Sequence, residues 1–170
     1  DAGGAGRVLA IVDESPGRAA QSVQPTIQGL QITGGDAAGL GGWGQYGERD
    51  GGGGVYIVTA TATISGCWIY GNTAEAGGGL AIAMSDAQII ASDIYSNTAT
   101  GVGGGGLAIA MGAPTMSGNQ IHGNNSTGGH GGGLWAMMSG LTFVDNQVWG
   151  NSTDEAGGGL YLADCAGAVL

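Results

Sequence analysis

Groups able to do chemistry are sparse in this sequence. Its 170 residues hold 13 Asp and Glu, two His, two Cys and three Arg (Arg7, Arg18, Arg49), with no Lys. Glycan hydrolysis needs two or three carboxylates converging on one bond. Outside the Gly-rich stretches the later acids are Asp86, Asp93, Asp145 and Asp164; Glu75, Asp154 and Glu155 lie within such stretches. Asp93 and Asp145 are 52 residues apart and form no close pair. These acids are read as solvated surface groups that keep the chain soluble. His122 and His130 lack a third ligand of matching spacing, which a metal site requires. The expectation is no catalytic residue, no metal site and no cofactor.

Composition narrows the partners. The formal net charge is −10. That argues against nucleic acid and anionic membrane surfaces. No apolar run reaches the ~18 residues of a membrane span. Forty residues are Gly but only three are Pro, without a three-residue period, which excludes collagen. Apolar residues still make up 42% of the chain, enough to build a core.

What must position every side chain is a repeat. The octet GGGLAIAM occurs at 77–84 and again at 104–111. Taking the residue after each Gly run as position zero aligns Val55, Leu80, Leu107, Leu134 and Leu160, at steps of 25, 27, 27 and 26 residues. Asn72, Asn97, Asn124 and Asn151 each follow their anchor by 17 residues, so the length variation lies after the Asn. Positions zero, two and four hold Leu, Ile and Met in most copies; position nine holds Ile64, Ile89, Met116 and Phe143; position fourteen holds Ile69, Ile94, Ile121 and Val148. Period-two alternation in such short runs predicts strands with one face on a core. Three short strands and three corners per period describe one turn of a parallel β-helix. Stacked coils place like residues in register ~4.8 Å apart, and each coil templates the next.

The stretch GGGLAIAMSDAQIIASDIYSNTA resembles the right-handed parallel β-helix repeat of large bacterial surface and secreted proteins. PTIQGLQITGG at 25–35 resembles a turn of the same family and covers an earlier coil. Polymorphic outer-membrane proteins and autotransporter passengers are similar in style, as are the pectate-lyase-like enzymes. The resemblance implies an all-β, right-handed parallel β-helix of about five to six coils of 25–27 residues. One domain would span 1–170: an irregular first coil over 1–54 with a long loop at 36–54, then regular coils over 55–170, the last incomplete. A lyase of this family would need clustered Asp for calcium and an Arg or Lys base, yet all three Arg precede Val55.

The expected ladders follow. Ile69, Ile94, Ile121 and Val148 form a buried core stack. Asn72, Asn97, Asn124 and Asn151 form an inward polar ladder that satisfies the corner backbone. Tyr70, Tyr95, His122 and Trp149 form an outward row, read as stacking that stiffens the solenoid rather than as a platform for sugar rings. Trp43, Tyr46, Glu48 and Arg49 fall in the long loop, a place for specific contacts. Cys67 and Cys165 lie four coils apart, beyond disulfide reach within one chain; they are free or pair between copies. Sequons begin at Asn124, Asn125 and Asn151, with Asn125 the better glycosylation candidate.

The function expected is a non-enzymatic structural subunit of an extracellular fibre or surface appendage. Its partner is itself, stacked head to tail or repeated in tandem, across a joint formed by Asp1, Val169 and Leu170. In that scheme Val169 takes position nine. The alternatives are an adhesin stalk or passenger that binds glycans and, third, a polysaccharide lyase or hydrolase.

Overall fold

The computed structural model describes residues 2–4, 6–13, 24–43 and 49–170. Among the described residues all regular structure is β. The chain winds as a parallel β-helix with three main sheets. The first stacks six strands: Leu9–Val12, Val55–Val58, Leu80–Ala83, Leu107–Gly112, Leu134–Ser139 and Leu160–Ala163. The second stacks Thr26–Gln28, Thr63–Ser65, Gln88–Ile90, Thr115–Ser117 and Thr142–Val144. The third stacks Gln31–Thr33, Trp68–Tyr70, Asp93–Tyr95, Gln120–His122 and Gln147–Trp149. In the variable corner a short fourth sheet joins Thr73–Ala76, Thr98–Gly103, Asn125–Ser126 and Ser152–Thr153.

Register follows the sequence frame. Leu80 pairs with Val55 and Leu107, and Leu134 pairs with Leu107 and Leu160. Ile57, Ile82, Ile109 and Ala136 stack at position two, and Ile64, Ile89, Met116 and Phe143 at position nine; all eight are buried. Ile69, Ile94 and Ile121 are fully buried, whereas Val148 packs half-buried on the same core. Each buried Ile or Leu contributes about 1.5–3 kcal/mol relative to exposure, and repetition lets every coil supply the same set.

Three expectations change. The period-two reading put the position-four Met residues on the inward face. Instead Thr59, Met84, Met111 and Met138 sit at a corner with φ between 49° and 57°, and Met84 and Met138 point outward, 43% and 38% exposed. A left-handed residue breaks the two-residue alternation, even where the strand pairing continues past it as in Leu107–Gly112 and Leu134–Ser139, so the inward set stops at position two. The first coil also has its own anchor: Leu9–Val12 pairs in register with Val55–Val58. Finally, the last coil carries one extra residue between its position-four corner and the second sheet. Val169 bridges Thr142, not Phe143, so it takes position eight and faces outward, 52% exposed. Position nine passes to Leu170. Asp1 of the expected joint lies outside the described residues, as do Tyr46 and Glu48 of the loop.

A second apolar cluster lies outside the first sheet. Residues 42–43 and 49–50 form an antiparallel pair that folds over its outer face. Trp43 is thereby buried against Ala81, Ala83, Ala108, Ala110, Tyr56 and Trp135, with its ring 6.3 Å from that of Trp135, edge to face. The repeated LAIA is therefore two-faced: Leu and Ile fill the interior, while the Ala residues leave room for a tryptophan outside. Arg7 fastens this flap. Its guanidinium lies 4.3 Å from the Tyr56 ring centroid, Nε donates to the Gly51 carbonyl at 2.7 Å and Nη2 donates to the Gly41 carbonyl. The Tyr56 hydroxyl donates to the Gly42 carbonyl. Burial lowers the Arg7 pKa and raises that of Tyr56, and their mutual interaction opposes both shifts.

Candidate functional site

The outward face of the third sheet carries aromatic and polar side chains in two columns. One column is Trp68, Asp93, Gln120 and Gln147; the other is Tyr70, Tyr95, His122 and Trp149. Strand pairing spaces them, because every third-sheet strand is three residues long with its middle residue inside.

The aromatic column is a continuous stack. Centroids of Tyr70–Tyr95, Tyr95–His122 and His122–Trp149 are 5.0, 5.3 and 4.4 Å apart, with interplanar angles of 8°, 3° and 9°. The inner rings spend both faces on each other and show solvent only their edges. Sugar rings bind aromatic faces, so the column's geometry suits stiffening better than ligand binding. The phenol of Tyr95 is shifted above its usual pKa, by desolvation first and then by Tyr70 and Asp93.

His122 Nε2 lies 3.0 Å from Asp93 Oδ1 of the preceding coil. This contact runs diagonally, from position fifteen to position thirteen one coil back, which explains why sequence spacing did not pair them. With its ring sandwiched by Tyr95 and Trp149, His122 is held in place rather than presented to a substrate. Beside it, Trp68, Asp93 and Gln120 line a shallow groove of mixed polarity with Cys67 and Ser92.

The remaining candidates are also engaged structurally. His130 accepts from the Ala156 amide through Nδ1 and stacks on Tyr161 at 4.3 Å. Glu75 accepts from the Asp50 amide at 2.8 Å and lies 4.0 Å from Arg49. Asp50 accepts from the Gly39 and Gly41 amides, so these acids hold the flap, and with Asp36 they also line a small cavity of about 210 Å³. Asp86 accepts from the Ala113 amide. Asp145 and Asp164 occupy left-handed corners. No group of three His, Cys, Asp or Glu that suits a metal exists among the described residues. Cys67, buried, and Cys165, half-buried, are free thiols.

The Asn ladder is the most ordered polar feature. Asn97 Oδ1 accepts from the backbone amide of Asn72 at 3.1 Å and from its Nδ2 at 3.0 Å. Asn97 Nδ2 in turn donates to the Ile69 carbonyl and to Asn124 Oδ1. Asn124 and Asn151 repeat the pattern, and Asn72 extends it to the Gly35 amide. Asn124 is fully buried with its amide committed, which is incompatible with a glycan there. A second ladder was missed in the sequence. At position twelve Cys67, Ser92, Asn119 and Asn146 stack, and Asn119 Nδ2 donates to Asn146 Oδ1 and to the Ile89 carbonyl, both at 2.8 Å. The signal was two Asn 27 residues apart, at a position the earlier coils fill with Cys and Ser.

Stacked in-register coils with two inward Asn ladders define a parallel β-helix repeat protein. The family described as right handed beta helix region matches residues 53–170, and the chain belongs to it. No curated protein matches the sequence, and no solved structure does.

Proposed function

We propose that this chain is structural: a rigid segment of an extracellular fibre or surface appendage in which the coil stack continues from copy to copy. The observation that carries the reading is the sameness of the stacking code at each step. Anchor, Asn and aromatic positions repeat from coil to coil. A coil of a second copy would therefore meet the same donors, acceptors and apolar ridges as the next coil of the same chain. A contact that repeats without closing produces a filament.

Side-chain usage supports a non-catalytic role. The two His, the stacked rings and the acids Glu75, Asp86 and Asp93 bond or stack on neighbouring coils, and turnover of pectin-like or other acidic polysaccharides is not expected. The glycan-binding alternative is favoured by one observation, the exposed indole of Trp68 (47%) on the wall of that groove.

Hydrogen exchange tests the proposal. The Leu134 amide donates to the next coil's Gly159 carbonyl at 2.9 Å, and by the same alternation the Leu160 amide points away from the stack. On raising protein concentration, exchange at Leu160 and Leu162 should slow as a further coil covers them. Concentration-independent fast exchange at both would count against copy-to-copy stacking.

A further inference from the structure

Position four stacks chemically distinctive side chains that neither packing nor backbone preference explains. Left-handed backbone favours Gly, Asn and Asp, and Asp164 obeys that preference at this position in the last coil. Three successive coils instead place Met there: Met84, Met111 and Met138, at φ 49°, 57° and 51°. The exposed Met84 contributes little to the core. Met84 and Met111 do, however, line a common cleft of about 350 Å³ together with Trp43, Val58, Ala83 and Ala110. Among the described residues no carboxylate, imidazole or amine lines it.

Two thioethers on adjacent coils are held by backbones one strand spacing, ~4.8 Å, apart. Both side chains line the same cleft, and their flexible thioether arms can bring the two sulfurs to either side of one ion at metal–sulfur bonds of ~2.3 Å, the length known for zinc thiolates. Thioethers are soft, neutral ligands that select Cu(I) over hard cations, which demand oxygen. An indole beside the ion adds cation–π attraction. The net charge of −10 draws cations to the surface without specifying which; the ligand atoms supply the choice.

We propose that Met84 and Met111 form a thioether site for a soft monovalent cation, Cu(I) or its redox-inert analogue Ag(I), beside Trp43. The test uses the intact chain carrying Cys165→Ser, which removes the more accessible thiol, labelled at its five methionine methyl groups. Silver nitrate is added in chloride-free buffer. The Met84 and Met111 methyl resonances should shift and saturate at one equivalent, while those of Met116 and Met137 stay in place. Calcium and sodium should move none of them. Met84→Leu/Met111→Leu, which keeps volume and apolarity, should bind silver at least tenfold more weakly. Unshifted Met84 and Met111 methyls at one equivalent would overturn the site, even if the double variant did not fold. So would a folded double variant that binds silver as tightly as its parent.

Discussion

A Cβ built on Gly79 would lie 2.9 Å from Nδ2 of Asn97 and 2.6 Å from the carbonyl oxygen of Gly106. The Gly before the anchor and the Asn seventeen residues after it are thus one device. The Asn amide closes the corner, and the missing side chain lets it approach. Gly54, Gly106 and Gly133 stand in the same relation to Asn72, Asn124 and Asn151.

Gly79→Ala should destabilise the protein by about 2 kcal/mol or more, through overpacking against backbone that cannot yield. Gly118→Ala, where a Cβ meets nothing within 4 Å but φ is +65°, should cost about 1 kcal/mol from backbone strain alone. Urea unfolding midpoints at constant slope provide the comparison; equal losses would show that contact with Asn97 is not what excludes the side chain.

Asn97→Ala leaves the buried Ile69 carbonyl and the Asn72 amide without their partners. Buried unsatisfied groups cost ~1–3 kcal/mol each, so a loss of about 2–4 kcal/mol is expected. Asn125→Ala, on a half-exposed side chain that only accepts from Ser152 Oγ, should cost under ~0.5 kcal/mol. Calorimetry of the two variants checks the order.

Trp43→Ala should remove about 3 kcal/mol, the usual loss for truncating a buried aromatic, and release the flap over Ala81 and Ala108. Proteolysis within residues 36–54 should accelerate while the Ile69–Ile94–Ile121 amides stay protected. Loss of protection throughout the coils would mean that the flap is part of the main core.

High pH should act through Tyr56. Its folded pKa is raised above the ordinary 10.0, so its contribution is fully present below pH 10 and is lost as pH rises through the folded pKa. Tyr56→Phe should be less stable than the parent at pH 8 and lose less on passing to strongly alkaline pH. Tyr95, also raised, leaves a residual dependence in that variant. Parallel alkaline curves for parent and variant would exclude Tyr56 as a source.

Much of the architecture was legible because a solenoid writes its contacts as a period. Anchors, position-nine and position-fourteen residues and the first Asn ladder each touch their counterpart one period away, so counting residues located them. Several features escaped counting. The Met corner depends on φ, which a two-residue alternation does not encode. The Asp93–His122 contact is diagonal between unlike residues, and the second ladder changes residue type from Cys67 to Asn146. The Trp43 flap arises from an insertion that no other coil shares, and its target, the outward Ala column, carries no distinctive signal in the strand pattern. Val169 moved by one position because a single extra residue in the last corner shifts register, and flips the side chain outward.

The central claim is that coils of separate copies stack as coils of one chain do. Cryo-electron microscopy of the concentrated 170-residue protein examines it most directly. The account predicts end-to-end filaments with an unbroken ~4.8 Å strand spacing across each joint and the last coil of one copy against the first coil of the next. Monomers at every concentration, or copies meeting side by side with their end coils apart, would contradict it.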